Sequence, residues 1–218
     1  MKRISLFYSF CILLPALCQN LRAQNKPFSP EFYLGATAGA TMSSITLVPQ
    51  YVDKTYLFAA NGGLSLRYVN EKHFGIQAEL NYFQSGWKDD FGYGSTNTYR
   101  REMAFLELPF LMHARIGTKA VNFYLNLGPK FSLFLSEEEY LDSDISYDYH
   151  GKALEQPFQW GILGGVGFDV KLKRQNIGLE GRYYYGLSDI FANAVTDDFV
   201  TSGLQQISLN LIYYFRLR

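Results

Sequence analysis

Charged side chains recur within segments of this chain that otherwise alternate apolar and polar residues, and they are the groups that could do chemistry. Glu79, Glu107 and Glu180 occupy such positions, and three carboxylates at similar depth could relay a proton or a cation. We expect structural ion pairs instead, anchored by Glu180 and Arg182, which are two residues apart and therefore on one face of a strand. The charged residues predicted to face inward together are Arg67, Glu79, Glu107, Arg115, Lys130, Asp169, Lys171, Glu180 and Arg182.

A second set of carboxylates lies between residues 135 and 157. From Asp142 onward, oxygen-bearing side chains alternate as in the first half of a calcium loop, but Tyr147 stands where that loop requires Gly and Ala153 where it requires a bidentate Glu. We therefore expect a solvated acidic loop with at most weak cation binding, no dedicated metal site and no cofactor. The acidic residues concerned are Glu137, Glu138, Glu139, Asp142, Asp144 and Asp148.

The histidines give little support for catalysis. His73 is predicted at a turn, His113 inside the fold and His150 in a long connector, so no Ser-His-acid set converges. A lipid-modifying enzyme would need such a set near the lipid boundary, and His150 with neighbouring acids is the candidate for it. No phosphate loop, dinucleotide fingerprint or basic nucleic-acid patch is present. The sequence thus favours a protein that is not an enzyme and does not bind nucleic acid.

Eight alternating segments must position these side chains. In residues 74–82 every even position is apolar and every odd one after Gly75 is polar, which suits a strand with one face in lipid and the other in water. The eight apolar stripes, which include Ala104, contain no charge, as hydrocarbon requires and a water-soluble β-sandwich does not. The sequence therefore predicts an all-β fold, an eight-stranded antiparallel up-and-down transmembrane β-barrel. Its predicted strands are 32–42, 57–68, 73–86, 102–116, 121–134, 158–171, 176–187 and 205–216.

The connectors between these strands alternate in length. Four are long (43–56, 87–101, 135–157 and 188–204), whereas the others are tight turns. Outer-membrane barrels have short periplasmic turns and longer outward loops, so both ends of the chain are predicted to be periplasmic. An even number of strands also lets the first and last strands pair, which leaves no open edge in lipid.

An eight-stranded barrel is just wide enough for its own side chains to fill it. The predicted lumen is therefore a packed polar core in which charges are paired. Proline cannot donate to a strand ladder and a closed barrel has no free edge, so Pro109 predicts a bulge or a locally widened register, with Gly128-Pro129 nearly opposite.

The N-terminus reads as an export signal. Lys2 and Arg3 precede an apolar stretch, and Leu21-Arg22-Ala23 resembles a processing site. The predicted organisation is a cleaved signal peptide (1–23), a short segment (24–31) and an outer-membrane barrel domain (32–218). Both cysteines fall within the signal, so the mature chain would hold no thiol or disulfide. A lipoprotein anchored through Cys18 is the alternative, although Leu17 is larger than a lipid-attachment site prefers.

Four stretches resemble the PorT-type outer-membrane β-barrel domain family of Bacteroidetes. They are Phe105 to Leu111, Tyr124 to Pro129 with Phe134 to Ser136, the glycine-rich Gly161 to Val170, and Gly178 to Ile190. They occur in the family's order and cover nearly the whole mature chain. The resemblance implies an eight-stranded outer-membrane barrel in a Gram-negative bacterium. The namesake is associated with protein secretion across the outer membrane, whereas most members have no assigned activity.

Three classes of function remain open at this point. The preferred one is a non-enzymatic barrel that presents its long loops for binding or envelope integrity. The others are a narrow transporter for small solutes and a lipid-modifying enzyme. The expected partners are the lipid bilayer, lipopolysaccharide and an envelope or secretion-system protein, and the barrel is expected to be monomeric.

Overall fold

The chain folds into a closed barrel of eight strands. The structure, a computed structural model, describes residues 28–50, 52–93, 95–142, 147–191 and 200–217. Neighbouring strands pair antiparallel in sequence order and β8 pairs with β1, so the predicted eight-stranded antiparallel barrel is confirmed. The strands are β1 (Glu31–Val48), β2 (Asp53–Val69), β3 (Phe74–Asp90), β4 (Thr98–Gly117), β5 (Val121–Asp142), β6 (Phe158–Leu172), β7 (Gln175–Asp189) and β8 (Thr201–Arg216).

The N-terminal segment is not part of this description: the predicted signal peptide, residues 1–23, and residues 24–27 lie outside the described residues. The described residues include no helix that is long and apolar enough to cross a membrane.

An apolar belt encircles the barrel on its outer face. Its members come from alternate residues of every strand, and Leu64, Ile76 and Leu125 are typical, each about half exposed or more. Charged side chains appear on the outer face beyond the belt, at the end with the long connectors, where Arg100 pairs with Glu102 at 3.2 Å. The alternation in the sequence thus produces one uncharged outer band, as hydrocarbon requires.

Most strands continue beyond the belt at the end that carries the long connectors. We call this part of the wall the extension; it comprises residues 43–48, 53–57, 84–90, 98–104 and 135–142. The prediction that Glu137, Glu138, Glu139 and Asp142 lie in a loop is wrong, because they are part of β5. A ladder needs only backbone hydrogen bonds to continue, so it does not end where the apolar stripe ends.

A bulge in β5 separates the belt from the extension. Ala104 pairs with Ser136 and Phe105 with Phe134, so Leu135 is an extra residue. One extra residue exchanges the two faces of a strand. The side chains of β5 that point inward therefore have even residue numbers before Leu135 and odd residue numbers after it. Ala104, predicted to face lipid, is instead buried at this bulge.

Pro109 does not create a bulge. It pairs with Lys130, and Met112 pairs with Leu127 in the same register, so the register of β4 against β5 is unchanged across the proline. Gly128 lies almost opposite, as expected, and a Cβ there would be 2.0 Å from the carbonyl oxygen of Phe110. The two backbones approach so closely here that only glycine fits.

Candidate functional site: the filled lumen and its plug

An arginine bound by two carboxylates occupies the middle of the lumen. The Arg182 guanidinium donates to both carboxylate oxygens of Glu79, at 2.7 and 2.8 Å, and to Glu180 at 3.0 Å. Amide groups of Asn81 and Asn126 donate to Glu79 and Glu180, at 2.8 and 2.9 Å. All these side chains are buried. Every charge in this cluster has a partner, which is the condition for holding charge away from water.

Two further ion pairs lie in the lumen beside this cluster. Lys130 donates to Glu107 at 2.5 Å, and its ammonium lies 3.6 Å from the centre of the Tyr184 ring. Arg67 contacts Asp169 at 3.5 Å and lies over the Tyr214 ring at 4.0 Å. Both basic groups combine one carboxylate with an aromatic face.

Two residues assigned to the lumen network are placed elsewhere. Arg115 lies at the rim where the short turns are and pairs with Glu31 at 2.6 Å. Lys171 is only half-buried at the same rim and donates to the Thr118 carbonyl at 3.1 Å, so the prediction that it belongs to the inner network is wrong. It is the penultimate residue of β6, where the lumen opens to solvent. The inner part of the predicted network is continuous in one direction, because Gln77 accepts from Arg67 at 2.7 Å and donates to Glu79, which joins the Arg67–Asp169 pair to the cluster around Arg182.

The central lumen contains little free space. The cavity beside Glu107, Lys130 and Arg182 has a volume of about 10 Å³, which is about the space that one water molecule needs. Towards the turns, Tyr33, Tyr124 and Tyr214 pack with Val69 and Ile212. A solute could pass only if these side chains moved.

A hydrophobic plug closes the lumen within the extension. Tyr149, Ile190 and Phe191 come from connectors, and each is completely buried against wall residues such as Trp87 and Phe105. All three residues lie in segments that the sequence assigns to long connectors, and the alternation of the strands gives no sign that they enter the barrel. We call the connector residues that enter the barrel, 147–157 and 190–191, the plug.

A cluster around Asp89 fixes the plug to the wall. Lys54 donates to Asp89 at 2.6 Å, and the Tyr149 hydroxyl donates to the other oxygen of the same carboxylate. Burial and the Asp89 carboxylate both raise the pKa of Tyr149, so its phenol is neutral at physiological pH. Burial lowers the pKa of Lys54, an effect opposed by Asp89. One wall carboxylate therefore orders both the lysine and the plug.

His150 is fully engaged in this cluster. The backbone N–H of Tyr147 donates to Nδ1, at 3.3 Å, so Nδ1 accepts and the proton of the neutral ring is on Nε2. Nε2 donates to Asp89 at 3.1 Å. A catalytic histidine needs one nitrogen for an orienting acid and the other for the nucleophile. Since Asp89 and the Tyr147 amide occupy both, this geometry does not activate a nucleophile.

Arg101 makes a second connection between wall and plug. It is completely buried, donates to Glu137 at 3.0 Å from Nε, and donates to the Lys152 carbonyl at 2.7 Å. Sequence reasoning assigned this residue to a connector. The available signal was Tyr99-Arg101-Met103, which continues the alternation of β4 outward.

The acidic residues of β5 do not converge on one point. Glu137 pairs with Arg101, Glu139 accepts from Tyr99 at 2.6 Å, and Glu138 accepts from Tyr140 on the opposite face. Asp142 and Asp148 are exposed, and Asp144 lies outside the described residues. Within the part of the chain that the structure describes, no group of His, Cys, Asp and Glu side chains is arranged to hold a metal ion.

Comparison with known proteins agrees with this architecture. The model of the family described as "Outer membrane protein beta-barrel domain" matches residues 22–192. No curated protein sequence matches the chain. Among solved structures, the outer membrane protein OprG from Pseudomonas aeruginosa is similar with a TM-score of 0.57 and 14% identity, covering 86% of this chain and 96% of OprG. That likeness shows the fold.

Two other structures are similar at lower scores. The attachment invasion locus protein Ail of Yersinia pestis, in complex with the heparin analogue sucrose octasulfate, has a TM-score of 0.43 and 13% identity over 85% of this chain and 99% of Ail. The outer membrane enzyme PagL has a TM-score of 0.40 and 12% identity over 83% of this chain and 97% of PagL. At these scores neither protein says anything about the activity of this chain.

Proposed function

Because the chain belongs to the outer membrane protein beta-barrel domain family, we propose that it is a closed, non-enzymatic barrel that presents its extension as a binding surface outside the cell. The filled lumen carries this proposal. Paired charges occupy the centre, tyrosines the end with the short turns, and the plug the other end. Short turns are periplasmic in outer-membrane barrels, so the extension is the extracellular end.

The extension is suited to a positively charged partner. Its solvent-facing surface includes Glu138, Asp142 and the exposed ring of Tyr56, and the connectors beside it add Asp148 and Tyr93. Carboxylates with aromatic residues favour a basic segment of an envelope protein over an anionic ligand. Hydrogen bonds from Arg101 to Glu137 and to the Lys152 carbonyl restrain the strand that carries this surface, and such restraint lowers the entropy cost of binding.

Planar-bilayer conductance tests the closed lumen. The intact barrel is expected to show no open-channel current, because the polar core alone closes it. A variant lacking residues 147–156 is expected to remain non-conducting, since the cluster around Arg182 lies beneath the plug. Sustained single-channel openings of the intact barrel would refute a closed lumen and favour a narrow transporter.

Purification of the intact barrel with its partners tests the binding surface. The comparison is between wild type and Glu138→Gln/Asp142→Asn, with Lys173→Asn in a periplasmic turn as the matched control. A protein retained by wild type and by the control but lost from the acidic-surface variant supports the proposal. Equal recovery of the same proteins by all three barrels contradicts it. A secretion component among the lost proteins would support the secretion role that the PorT resemblance implies.

Lipid analysis tests the non-enzymatic part of the proposal. Because both nitrogens of His150 are occupied, the envelope lipids of wild type, a deletion strain and a His150→Ala strain are expected to be identical. A lipid species absent from both altered strains would establish a lipid-modifying enzyme.

A further inference from the structure

An apolar groove of about 440 Å³ interrupts the outer wall close to the periplasmic rim. Phe74, Ala114, Leu125 and Val166 form one lateral row across β3, β4, β5 and β6. Ala114 is much smaller than its neighbours in this row, so the wall is recessed there. Ile116 and Phe123, one step nearer the rim, border the same groove. The groove therefore lies within the lipid-facing belt.

A basic recess adjoins the groove at the rim. It has a volume of about 380 Å³ and is lined by Lys72, Lys119 and Lys171 among others, and it shares His73 and Arg115 with the groove. The two turns that carry Lys72 and Lys119 lie side by side, because the Arg115 amide donates to the His73 carbonyl at 2.8 Å. The groove on the outer face and the recess, whose Asn122 is buried on the inner face, thus meet at the rim, where Lys72 and Lys119 are exposed.

Two of the four lysine and arginine side chains that line this recess are available to a ligand. Lys72 and Lys119 are exposed, and neither takes part in an ion pair among the described residues. The acid that lines the recess, Glu31, is already paired with Arg115 and with Arg216, at 2.6 and 3.2 Å. Glu71 is the one acidic residue in the two turns, so Lys72 and Lys119 leave these turns with a net positive charge even before Lys171 is added.

We propose that the groove and the recess together bind one anionic glycerophospholipid of the periplasmic leaflet. The groove takes a stretch of acyl chain along Ala114, and the lysines contact the headgroup phosphate. Basic pockets at a membrane surface bind anionic headgroups in this way. The apolar groove at belt depth adds contacts with the acyl chain that a flat wall would not make. This site is independent of whether the lumen is closed and of any extracellular partner.

Native mass spectrometry of the intact barrel tests the groove. The barrel is released from vesicles of phosphatidylglycerol mixed with phosphatidylcholine, and retained lipid is identified. Wild type is expected to retain one phosphatidylglycerol. Ala114→Leu fills the groove, so this variant is expected to lose the bound phosphatidylglycerol. Ala78→Leu is an equal change on the outer face of β3 outside the groove, and this variant is expected to keep the lipid. Both side chains point into lipid, so heat-modifiability on gels should confirm folded barrels.

The lysines are tested in the same experiment. Each basic residue near a membrane surface changes binding of an anionic lipid about fivefold, so Lys72→Gln/Lys119→Gln is expected to reduce retained phosphatidylglycerol roughly 25-fold. Lys173→Asn, in the turn between β6 and β7, is the control; asparagine tolerates the φ of 56° found there. Retention of phosphatidylglycerol by Ala114→Leu, or equal retention of both lipids by wild type, would overturn the proposal. Loss from the lysine variant alone would also overturn it, because it indicates surface attraction without a groove.

Discussion

Replacing Arg182 by methionine should destabilise the barrel more than any comparable change at its surface. Arg182 makes two hydrogen bonds to Glu79 and one to Glu180, and all three side chains are buried. Methionine preserves much of the volume but leaves two carboxylates without a counter-charge. Breaking a buried ion pair by removing one partner costs about 3–5 kcal/mol, and the amides of Asn81 and Asn126 replace only part of the lost interaction.

Urea unfolding of the detergent-refolded barrel measures this cost. With a slope of about 2 kcal/mol per molar urea, the midpoint should fall by about 1.5–2.5 M. The chain has two tryptophans: Trp160 is partly exposed on the belt, and Trp87 of the extension is buried against the plug. In one titration, the fluorescence of Trp160 reports unfolding of the belt and the fluorescence of Trp87 reports unfolding of the extension.

A double variant separates lost charge pairing from lost packing. Arg182→Met/Glu79→Gln removes one buried charge of each sign, so it should be more stable than Arg182→Met alone, although it carries an additional substitution. An Arg182→Met barrel with the wild-type midpoint would refute the pairing argument. So would a double variant less stable than the single one, because Glu79 would then be tolerated without the arginine.

Three other predictions concern different parts of the wall. Lys54→Met removes one of the groups that bind Asp89 and should release the plug, so limited proteolysis within residues 147–157 should accelerate while the barrel stays folded. Leu80→Arg places a charge in the belt and should cost about 2–4 kcal/mol in the same urea titration. Deletion of Leu135 removes the bulge but keeps Phe134 opposite Phe105 and Ser136 opposite Ala104, so Glu137 should stay inward and amide exchange in the outer half of β5 should stay as slow as in wild type.

The first two of these have a matched control. Lys88→Met removes a neighbouring lysine that points away from the plug and should not change proteolysis. Leu80→Met keeps an apolar side chain in lipid and should leave the urea midpoint nearly unchanged. If deletion of Leu135 accelerates exchange in the outer half of β5, Leu135 is not a simple extra residue in the ladder.

The sequence predicts the barrel because alternation and connector length are local properties. The period of two assigns each side chain to a face, and this was sufficient to place Glu180 and Arg182 together. It does not give the stagger of the strands around the barrel, so it could not identify Glu79, 103 residues from Arg182, as the bidentate partner. The contact depends on which strands face each other across the lumen.

The plug was missed for a different reason. Trp87 and Asp89 in β3, and Tyr99 and Arg101 in β4, continue the inward alternation beyond the apolar belt, but their outward neighbours are polar. A segment with polar residues on its outer face reads as a connector when lipid is assumed outside it. In β5, the extra residue Leu135 also reverses the faces, so the acidic residues there could not be assigned to a side by counting from the belt.

The constraints on each part of the wall indicate where a specific function can reside. The belt must be apolar outside, and the lumen must pair every charge because an eight-stranded barrel has no room for bulk water. These demands fix most side chains between the two rims. The solvent-facing surfaces of the extension and of the periplasmic turns are under neither demand. Their charges differ: carboxylates predominate on the extension, whereas the turns carry Lys72, Lys119, Lys173 and Arg174. A change of function within this fold would therefore require few changes to the core, and the variants of Glu138 and Asp142 or of Lys72 and Lys119 should alter binding without altering the unfolding midpoint.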